Sequence, residues 1–504
     1  MHYYLPTAIL LSVLFTAVNA VTTSSGDIFG HPASKSPSVI EYLGIPYAQA
    51  PVGELRFAPP VGFATTEIFK ATDFVPIPYP NKTDNFNRIV DAFLGQGAVF
   101  GEDCLTLNVW AKNSTELGRA VMVFFYGGRF DIGGTNSPFY NGQYLADSED
   151  IVVITVNYRT NIFGFPGAPQ TTQNLGLLDQ RLALEWVRSN VAAFAGDSAR
   201  ITIFGQSAGG IAVDYHAFAF ADDPIAAGVI AQSGAALSLA ANTPEVALGH
   251  WTTASGIVGC ASDGDDPAVV MQCMRSKNFS DILAAEAQIV TAGDPALLPS
   301  PPFQPTVDNI TVFADYLALS DAGQFAKLVN SFLCSTDNEA GLYRVPALAF
   351  GLSISDSQWD LFNLAGFTCP ASRSALSRST AGVPTWRYRY FGDWDNLRLF
   401  PGSGAYHGSE LEMVFGTAED VSGEASGVQQ EGVSGMMRQA WGAFAKDPRA
   451  GLTALGWPQY EPSADTLVRI AFEDEETVSL VNPILYDEPC STLAGSLSAA
   501  QGAF

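Results

Sequence analysis

The stretch Ile201-Thr-Ile-Phe204-Gly205-Gln206-Ser207-Ala208-Gly209-Gly210 decides the fold. Its first four residues are β-branched or aromatic and read as a buried strand. Gly205 to Gly209 then matches G-x-S-x-G, which occurs once in the chain. Composition alone gives roughly 0.3 chance matches, so the motif needs its context. A strand precedes it, and the small-residue run Ala208-Gly-Gly-Ile-Ala-Val213 follows it. That order fits a strand, a sharp turn that presents a serine, and a helix. Glycines on both sides let the backbone turn tightly and the helix pack close. The helix N-terminus then aims its N–H groups and positive dipole end at the reacting centre.

Working outward, other apolar runs repeat the strand pattern. Ala120-Val-Met-Val-Phe-Phe125 ends at Tyr126-Gly127-Gly128, and Ile151 to Asn157 forms another run. Leu328 to Leu333 and Thr385 to Tyr390 are later strand candidates, and Leu175 to Val191 carries apolar residues at helical spacing. Alternating strands and helices imply βαβ units and an α/β fold with a large, mostly parallel sheet. The stretch from about 215 to 330 is less regular and reads as insertions decorating that sheet. One α/β domain over residues 21–504 is the simplest organisation.

Composition excludes several classes. The chain has 504 residues, 47% of them hydrophobic and only 15% charged, which rules out a disordered chain or a coiled coil. The balance of 25 basic and 51 acidic residues leaves a formal net charge of −26, which repels nucleic acid and anionic membrane surfaces. Ala8 to Val18 is an apolar core of signal-peptide length, and Val18-Asn19-Ala20 places small residues for cleavage after Ala20. Residues 1–20 are therefore expected to be a signal peptide and the mature chain to be secreted. No later apolar run reaches the ~18 residues of a membrane span, so no transmembrane segment is expected. Four N-x-[ST] sequons, at Asn81, Asn113, Asn278 and Asn309, are candidate glycosylation sites. Six cysteines, Cys104, Cys260, Cys273, Cys334, Cys369 and Cys490, suit export and show no metal-site spacing.

A serine hydroxyl needs a base to act as a nucleophile. After residue 20 the chain has four histidines, His31, His216, His250 and His407. In a strand–turn–helix hydrolase the order is serine, acid, histidine. His31 precedes Ser207, His216 falls on the helix leaving the turn, and His250 leaves little room for a strand carrying the acid. His407 lies in the glycine-flanked loop Gly404-Ala-Tyr-His407-Gly408 and is the candidate base. The acid should follow the strand ending at Leu333, where Asp337 and Glu339 both stand. Either could hold the imidazole tautomer, while Asp337 also suits a helix cap.

At this point the sequence resembles the type-B carboxylesterase family, which includes cholinesterases and secreted fungal lipases. The resemblance rests on Tyr42 to Ala48 with Gly53 to Phe57, on Glu102-Asp-Cys104-Leu-Thr-Leu-Asn-Val109, and on Tyr126-Gly-Gly-Arg-Phe130. It continues in Phe204 to Gly210, in Asn338-Glu-Ala-Gly341 and in Tyr406-His-Gly-Ser-Glu410, and ends in Gln439 to Pro448 with Trp457-Pro458. It implies an α/β-hydrolase fold, with Ser207 as nucleophile, Glu339 as acid and His407 as base. Ser233 resembles a serine that supports the acid. The resemblance also implies oxyanion donors at the backbone N–H groups of Gly128, Arg129 and Ala208, and neither a metal nor an organic cofactor. Cys260 and Cys273, which enclose 12 residues, match a family disulfide. Of the three pairings open to the other four cysteines, Cys369 with Cys490 is favoured.

The chain also departs from the family. Gln206 stands where a glutamate usually precedes the serine, and Cys104 has no cysteine partner between residues 21 and 103, so a lid loop would be unstapled. No Trp lies between residues 61 and 109, which argues against a quaternary-ammonium substrate. Arg129 replaces the third glycine of the oxyanion loop. Its guanidinium could narrow the acyl pocket or pair with an acidic substrate, or it could reach solvent or a carboxylate. The pocket reading is adopted here. The resulting expectation is a secreted serine carboxylic-ester hydrolase, a carboxylesterase or lipase that works through an acyl-enzyme on a small-molecule or lipid ester. The alternative from another class is a catalytically silent binding or adhesion protein, a kind that usually loses a residue of the serine–histidine–acid set.

Overall fold

The computed structural model describes residues 20–72, 101–262, 264–291, 300–349 and 351–492. Most of the signal-peptide reading and the sequon at Asn81 therefore lie outside the described residues, as does the segment 73–100 that would hold the lid. The strands in chain order are β1 (Ala20–Thr23), β2 (Gly26–Phe29), β3 (His31–Pro32), β4 (Val39–Pro46), β5 (Ile68–Lys70), β6 (Thr106–Lys112) and β7 (Arg119–Phe125). They continue with β8 (Val152–Val156), β9 (Gly196–Gln206), β10 (Gly228–Gln232), β11 (Asn330–Thr336), β12 (Thr385–Tyr390), β13 (Leu467–Ile470) and β14 (Ser479–Val481).

Eleven strands form one sheet in the order β14-β13-β12-β11-β10-β9-β7-β8-β6-β4-β3. From β8 to β13 all neighbours are parallel, and antiparallel pairs close both edges. β1, β2 and β5 make a small separate sheet. Strands with helices on both faces are buried on both sides. β7 and β8 are buried at every residue. The helix Leu175–Asn190 ends one residue short of the expected Val191, and Thr385–Tyr390 is the strand expected.

Two expectations need correction. Leu328 is 89% exposed and the strand there is Asn330–Thr336, shifted toward the acid. Residues 215–330 are not insertions throughout, because Gly228–Gln232 pairs with both β9 and β11 in the middle of the sheet. The helices Pro244–Ile257, Pro267–Ser276 and Phe279–Glu286 do decorate the sheet. They enclose a second small core around Phe57, Phe163 and Trp251. Arg56 ties this subdomain down through a bidentate pair to Glu102 at 2.6 Å and bonds to the carbonyls of Met274, Arg275 and Lys277.

The disulfides are Cys260–Cys273 and Cys369–Cys490, while Cys104 and Cys334 are buried and reduced. The second bridge spans 121 residues and ties the C-terminal segment to the start of the helix Cys369–Thr380. The same segment brings Asp487 to Arg387 of β12 and to the Ser372 hydroxyl at 2.7 Å. Closing so long a loop should contribute about 3–5 kcal/mol. Replacing both Cys369 and Cys490 by serine should therefore lower the thermal midpoint by several degrees in calorimetry. An unchanged midpoint would show that the segment is held without the bridge.

Candidate active site

Ser207 follows the last residue of β9 and precedes the helix Ala208–Ala219, with φ 59° and ψ −127°. A side chain at positive φ costs about 1–2 kcal/mol, which the surrounding packing must outweigh. That packing leaves no room for side chains at the flanking glycines. A Cβ on Gly205 would lie 2.4 Å from the Gly209 oxygen, and one on Gly209 would lie 1.9 Å from the Phe125 oxygen. The Ser207 N–H donates to the Gln232 carbonyl of β10 at 2.8 Å, and its hydroxyl does not cap the helix. The turn thus presents the hydroxyl away from the backbone.

Of the two acid candidates, the structure brings Glu339 to the histidine. His407 Nδ1 lies 2.6 Å from Glu339 Oε2. The other carboxylate oxygen accepts from the Ser233 hydroxyl at 2.8 Å and from the Thr336 N–H at 2.7 Å. Glu339 and His407 are 1% and 3% exposed, so a charge-assisted bond between them is shielded from water. Asp337 instead pairs with Arg389 at 2.8 Å, and its side chain is 42% exposed. Ser233, at φ 47°, takes the supporting position that the family resemblance implied. The remaining histidines lie elsewhere and make other contacts. His216 stacks on Phe125, contacts Gln180 Oε1 at 3.2 Å and is pushed down to about 3, mainly by burial. His250 meets the Pro302 carbonyl at 2.6 Å, and His31 lies 3.4 Å from Glu41 on the surface.

His407 Nε2 is buried and makes no hydrogen bond. Two contacts bring this edge of the molecule to Ser207. The Tyr343 ring centroid lies 5.2 Å from that of His407, while the Tyr343 hydroxyl interacts with the Ser207 hydroxyl. Gly408 abuts the Gln206 amide, which a Cβ there would meet at 3.4 Å. Phe367 closes on the imidazole with a centroid distance of 4.9 Å. Sequence reading missed Tyr343 and Phe367. Tyr343 stands four residues after Glu339, one turn into the helix Ala340–Ala349, and that spacing could have pointed to it.

The loop after β7 supplies the other wall. A Cβ on Gly128, at φ 101°, would lie 2.3 Å from the Ile132 oxygen, so the third position rather than this one could accept a side chain. Arg129 does so at φ 59°. It lines a cavity over Ser207 together with Ala208, Ile211, Leu239, Tyr343 and Phe367. This is the pocket position expected of it, and burial lowers its pKa from the ordinary value. Ala208 opens the helix, where a first-turn N–H has no acceptor within the helix. Burial raises the carboxyls of Asp131 and Glu286 from their usual range.

A mostly parallel sheet with a serine on such a turn, together with a buried imidazole–carboxylate pair, defines an α/β-hydrolase. A sequence profile of the carboxylesterase family matches residues 17–349. The chain is 34% identical over 498 residues to secreted lipase 5 of Gibberella zeae, covering 91% of each chain. It is 32% identical over 495 residues to chlorogenic acid esterase of Aspergillus niger, covering 93% of each. A thermophilic PNB esterase superposes with a TM-score of 0.80 at 26% identity, over 94% of this chain and 99% of that one. The chain belongs to the carboxylesterase family, and the protein is a carboxylic ester hydrolase.

Below the site, burial and the nearby Glu339 push the Glu410 carboxyl up to about 8. Its Oε1 accepts from Gln232 Nε2 at 3.1 Å, and its Oε2 has no partner. A carboxyl whose pKa is higher folded than unfolded destabilises the fold increasingly as pH rises from 4.5, its ordinary value, to about 8. Glu410→Gln should therefore raise the thermal midpoint relative to wild type more at pH 8 than at pH 5. An equal difference at both pH values would mean that Glu410 is ionised in the folded protein.

Proposed function

We propose that the protein hydrolyses esters through an acyl-enzyme on Ser207. His407 takes the hydroxyl proton as Ser207 attacks the ester carbonyl. Glu339 holds the imidazole in the required tautomer and stabilises its charged form. The N–H groups of Gly128, Arg129 and Ala208 receive the developing oxyanion, a stabilisation worth a few kcal/mol per donor. The tetrahedral intermediate collapses with loss of the alcohol. Water activated by His407 then releases the acid. The observation that carries this reading is the 2.6 Å contact between His407 and Glu339, with Ser233 and Thr336 fixing the far oxygen. Such anchoring sets which ring nitrogen carries the proton and leaves Nε2 as the acceptor. In free enzymes the serine–imidazole bond is often open and closes with substrate. The silent-protein alternative fits less well, since Ser207, Glu339 and His407 are all present.

We further propose that the chain acts outside the cell as one domain over residues 21–504 after loss of residues 1–20. Two relatives matched over nine-tenths of their length support this, one of them named a secreted lipase. The two disulfides are in keeping with it. Asn113, Asn278 and Asn309 are exposed and available for glycans. Among the described residues no helix is long and apolar enough to cross a membrane.

Ser207→Ala should lose at least ~10³-fold in kcat on nitrophenyl esters with unchanged folding. A purified variant with wild-type turnover would sink the mechanism. A nitrophenyl series from acetate to palmitate, run beside an emulsified triglyceride, separates a soluble-ester esterase from a lipase.

A further inference from the structure

Among the described residues that line the cavity over Ser207, Gln304 holds a buried polar atom that the protein leaves unanswered. The residue is 6% exposed, and its Oε1 is buried with no hydrogen-bond partner. The other polar side chains on this wall are engaged. The Ser233 hydroxyl donates to Glu339, the Ser238 hydroxyl oxygen accepts the Ala235 N–H at 3.0 Å, and the Tyr343 hydroxyl meets that of Ser207. Asp131 and Tyr343 face the Arg129 guanidinium electrostatically.

A chain of hydrogen bonds fixes what the free atom is. Asn242 Nδ2 donates to the Pro302 carbonyl at 2.9 Å, which leaves Asn242 Oδ1 as an acceptor. Gln304 Nε2 donates to that Oδ1 at 3.2 Å and to the Ala240 carbonyl at 3.4 Å. Turning the Gln304 amide over would set oxygen against two oxygens, so the free atom is the carbonyl oxygen, an acceptor. The backbone braces this segment. The Asn242 N–H donates to the Pro305 carbonyl at 2.8 Å, and the Val307 N–H returns to the Asn242 carbonyl at 2.9 Å. A buried carbonyl oxygen without a donor is unfavourable, and a ligand that brings a donor removes the penalty.

The place of the cavity says which half of an ester brings that donor. Arg129 and Ala208, two of the oxyanion donors in the mechanism above, line it, whereas His407 is not among its described lining residues. In that mechanism the leaving alcohol takes its proton from His407, so the cavity is left to the acyl group. The rings of Tyr343, Phe362 and Phe367 share the wall, with centroids 4.8 Å apart for the first two and 5.5 Å for the last two. Such a cluster suits an aromatic ring. An amide oxygen has no net charge and accepts, so it favours a neutral hydroxyl over a carboxylate, which has no proton to give.

Resting on the ester-hydrolase reading above, we propose that Gln304 makes this cavity an acyl subsite for aromatic acids that carry a ring hydroxyl. The hydroxyl donates to Gln304 Oε1 while the ester carbonyl lies over Ser207. Gln304 is then a specificity-determining residue, because it reads a donor that the apolar rings beside it do not distinguish.

The test compares acyl groups that differ only at the ring, on the full-length protein. The substrates are methyl 3-phenylpropanoate, its 3-hydroxyphenyl and 4-hydroxyphenyl analogues, and its 4-methoxyphenyl analogue, which is larger but brings no donor. The saturated linker keeps the ring substituent from altering the reactivity of the carbonyl. Each kcat/KM is divided by that of the unsubstituted ester, in wild type, Gln304→Leu and Gln304→Glu. For at least one hydroxyphenyl ester this ratio should be ~5-fold or more higher in wild type than in Gln304→Leu, with the methoxyphenyl ratio unchanged. Gln304→Glu keeps an acceptor oxygen and should stay nearer to wild type. Equal ratios in wild type and Gln304→Leu for both hydroxyphenyl esters overturn the proposal. So does a methoxyphenyl ratio that falls as far as the hydroxyphenyl ones, which would make Gln304 a matter of pocket shape. If Gln304→Leu does not fold, wild type is inhibited with the four corresponding amides against 4-nitrophenyl acetate. Stronger inhibition by a hydroxyphenyl amide than by the phenyl and methoxyphenyl amides supports the subsite, and inhibition no stronger overturns it. Wild type that cleaves 4-nitrophenyl acetate but none of the four methyl esters overturns this proposal alone. Wild type that cleaves none of these esters overturns the hydrolase reading itself.

Discussion

Everything at the centre of this molecule depends on how closely the helix Ala208–Ala219 approaches the strand Arg119–Phe125. Gly209 sits where any side chain would run into the Phe125 carbonyl. Because the helix can lie this near, the chain reverses within one residue, and Ser207 must take a left-handed conformation. The strain is held by neighbours on both sides: β10 accepts the Ser207 N–H, and Gly234 leaves room for the Ser207 carbonyl, which a Cβ there would meet at 2.2 Å. The sheet is thus the device that keeps a costly turn in place, as expected of strain stored at a functional site.

The acid–base side is built by another route. Glu339 follows β11 and Ser233 follows β10, so two adjacent parallel strands deliver the carboxylate and the hydroxyl that orients it. His407 comes from a loop after β12 and has no strand of its own to fix it. Its ring is placed by Glu339 on one edge and by the tilted rings of Tyr343 and Phe367 beside it. The imidazole is located by chemistry and packing rather than by the sheet, and the acid therefore has a structural duty as well as an electrostatic one.

How far the sequence could be read follows from these two routes. The turn at Ser207 was legible because its glycines and its strand are contiguous, and His407 and Glu339 because their loops carry short local patterns. The choice between Asp337 and Glu339 was not legible from residue type, since both are carboxylates two residues apart. Arg389, from the neighbouring strand, pairs with Asp337, while Glu339 reaches His407. The strand Gly228–Gln232 went unread because five residues that include a Gly, an Ala and a Gln show little periodicity, and only pairing on both edges makes them a strand. Arg129 was legible as an anomaly. Its place on a cavity wall needed residues from a distant helix.

The order of the strands has a consequence for the chain as it leaves the ribosome. The residues that crowd the strained turn all lie at or before Gly234, while the histidine of the proposed mechanism lies 200 residues beyond Ser207. N-terminal parts of a chain tend to organise first during synthesis. A growing chain can thus display a fully shaped serine turn that has nothing to draw its proton away. On the proposed mechanism, reactivity must wait until the loop around His407 docks, and Asp487, later still in the chain, pairs with Arg387 of the strand next to β11.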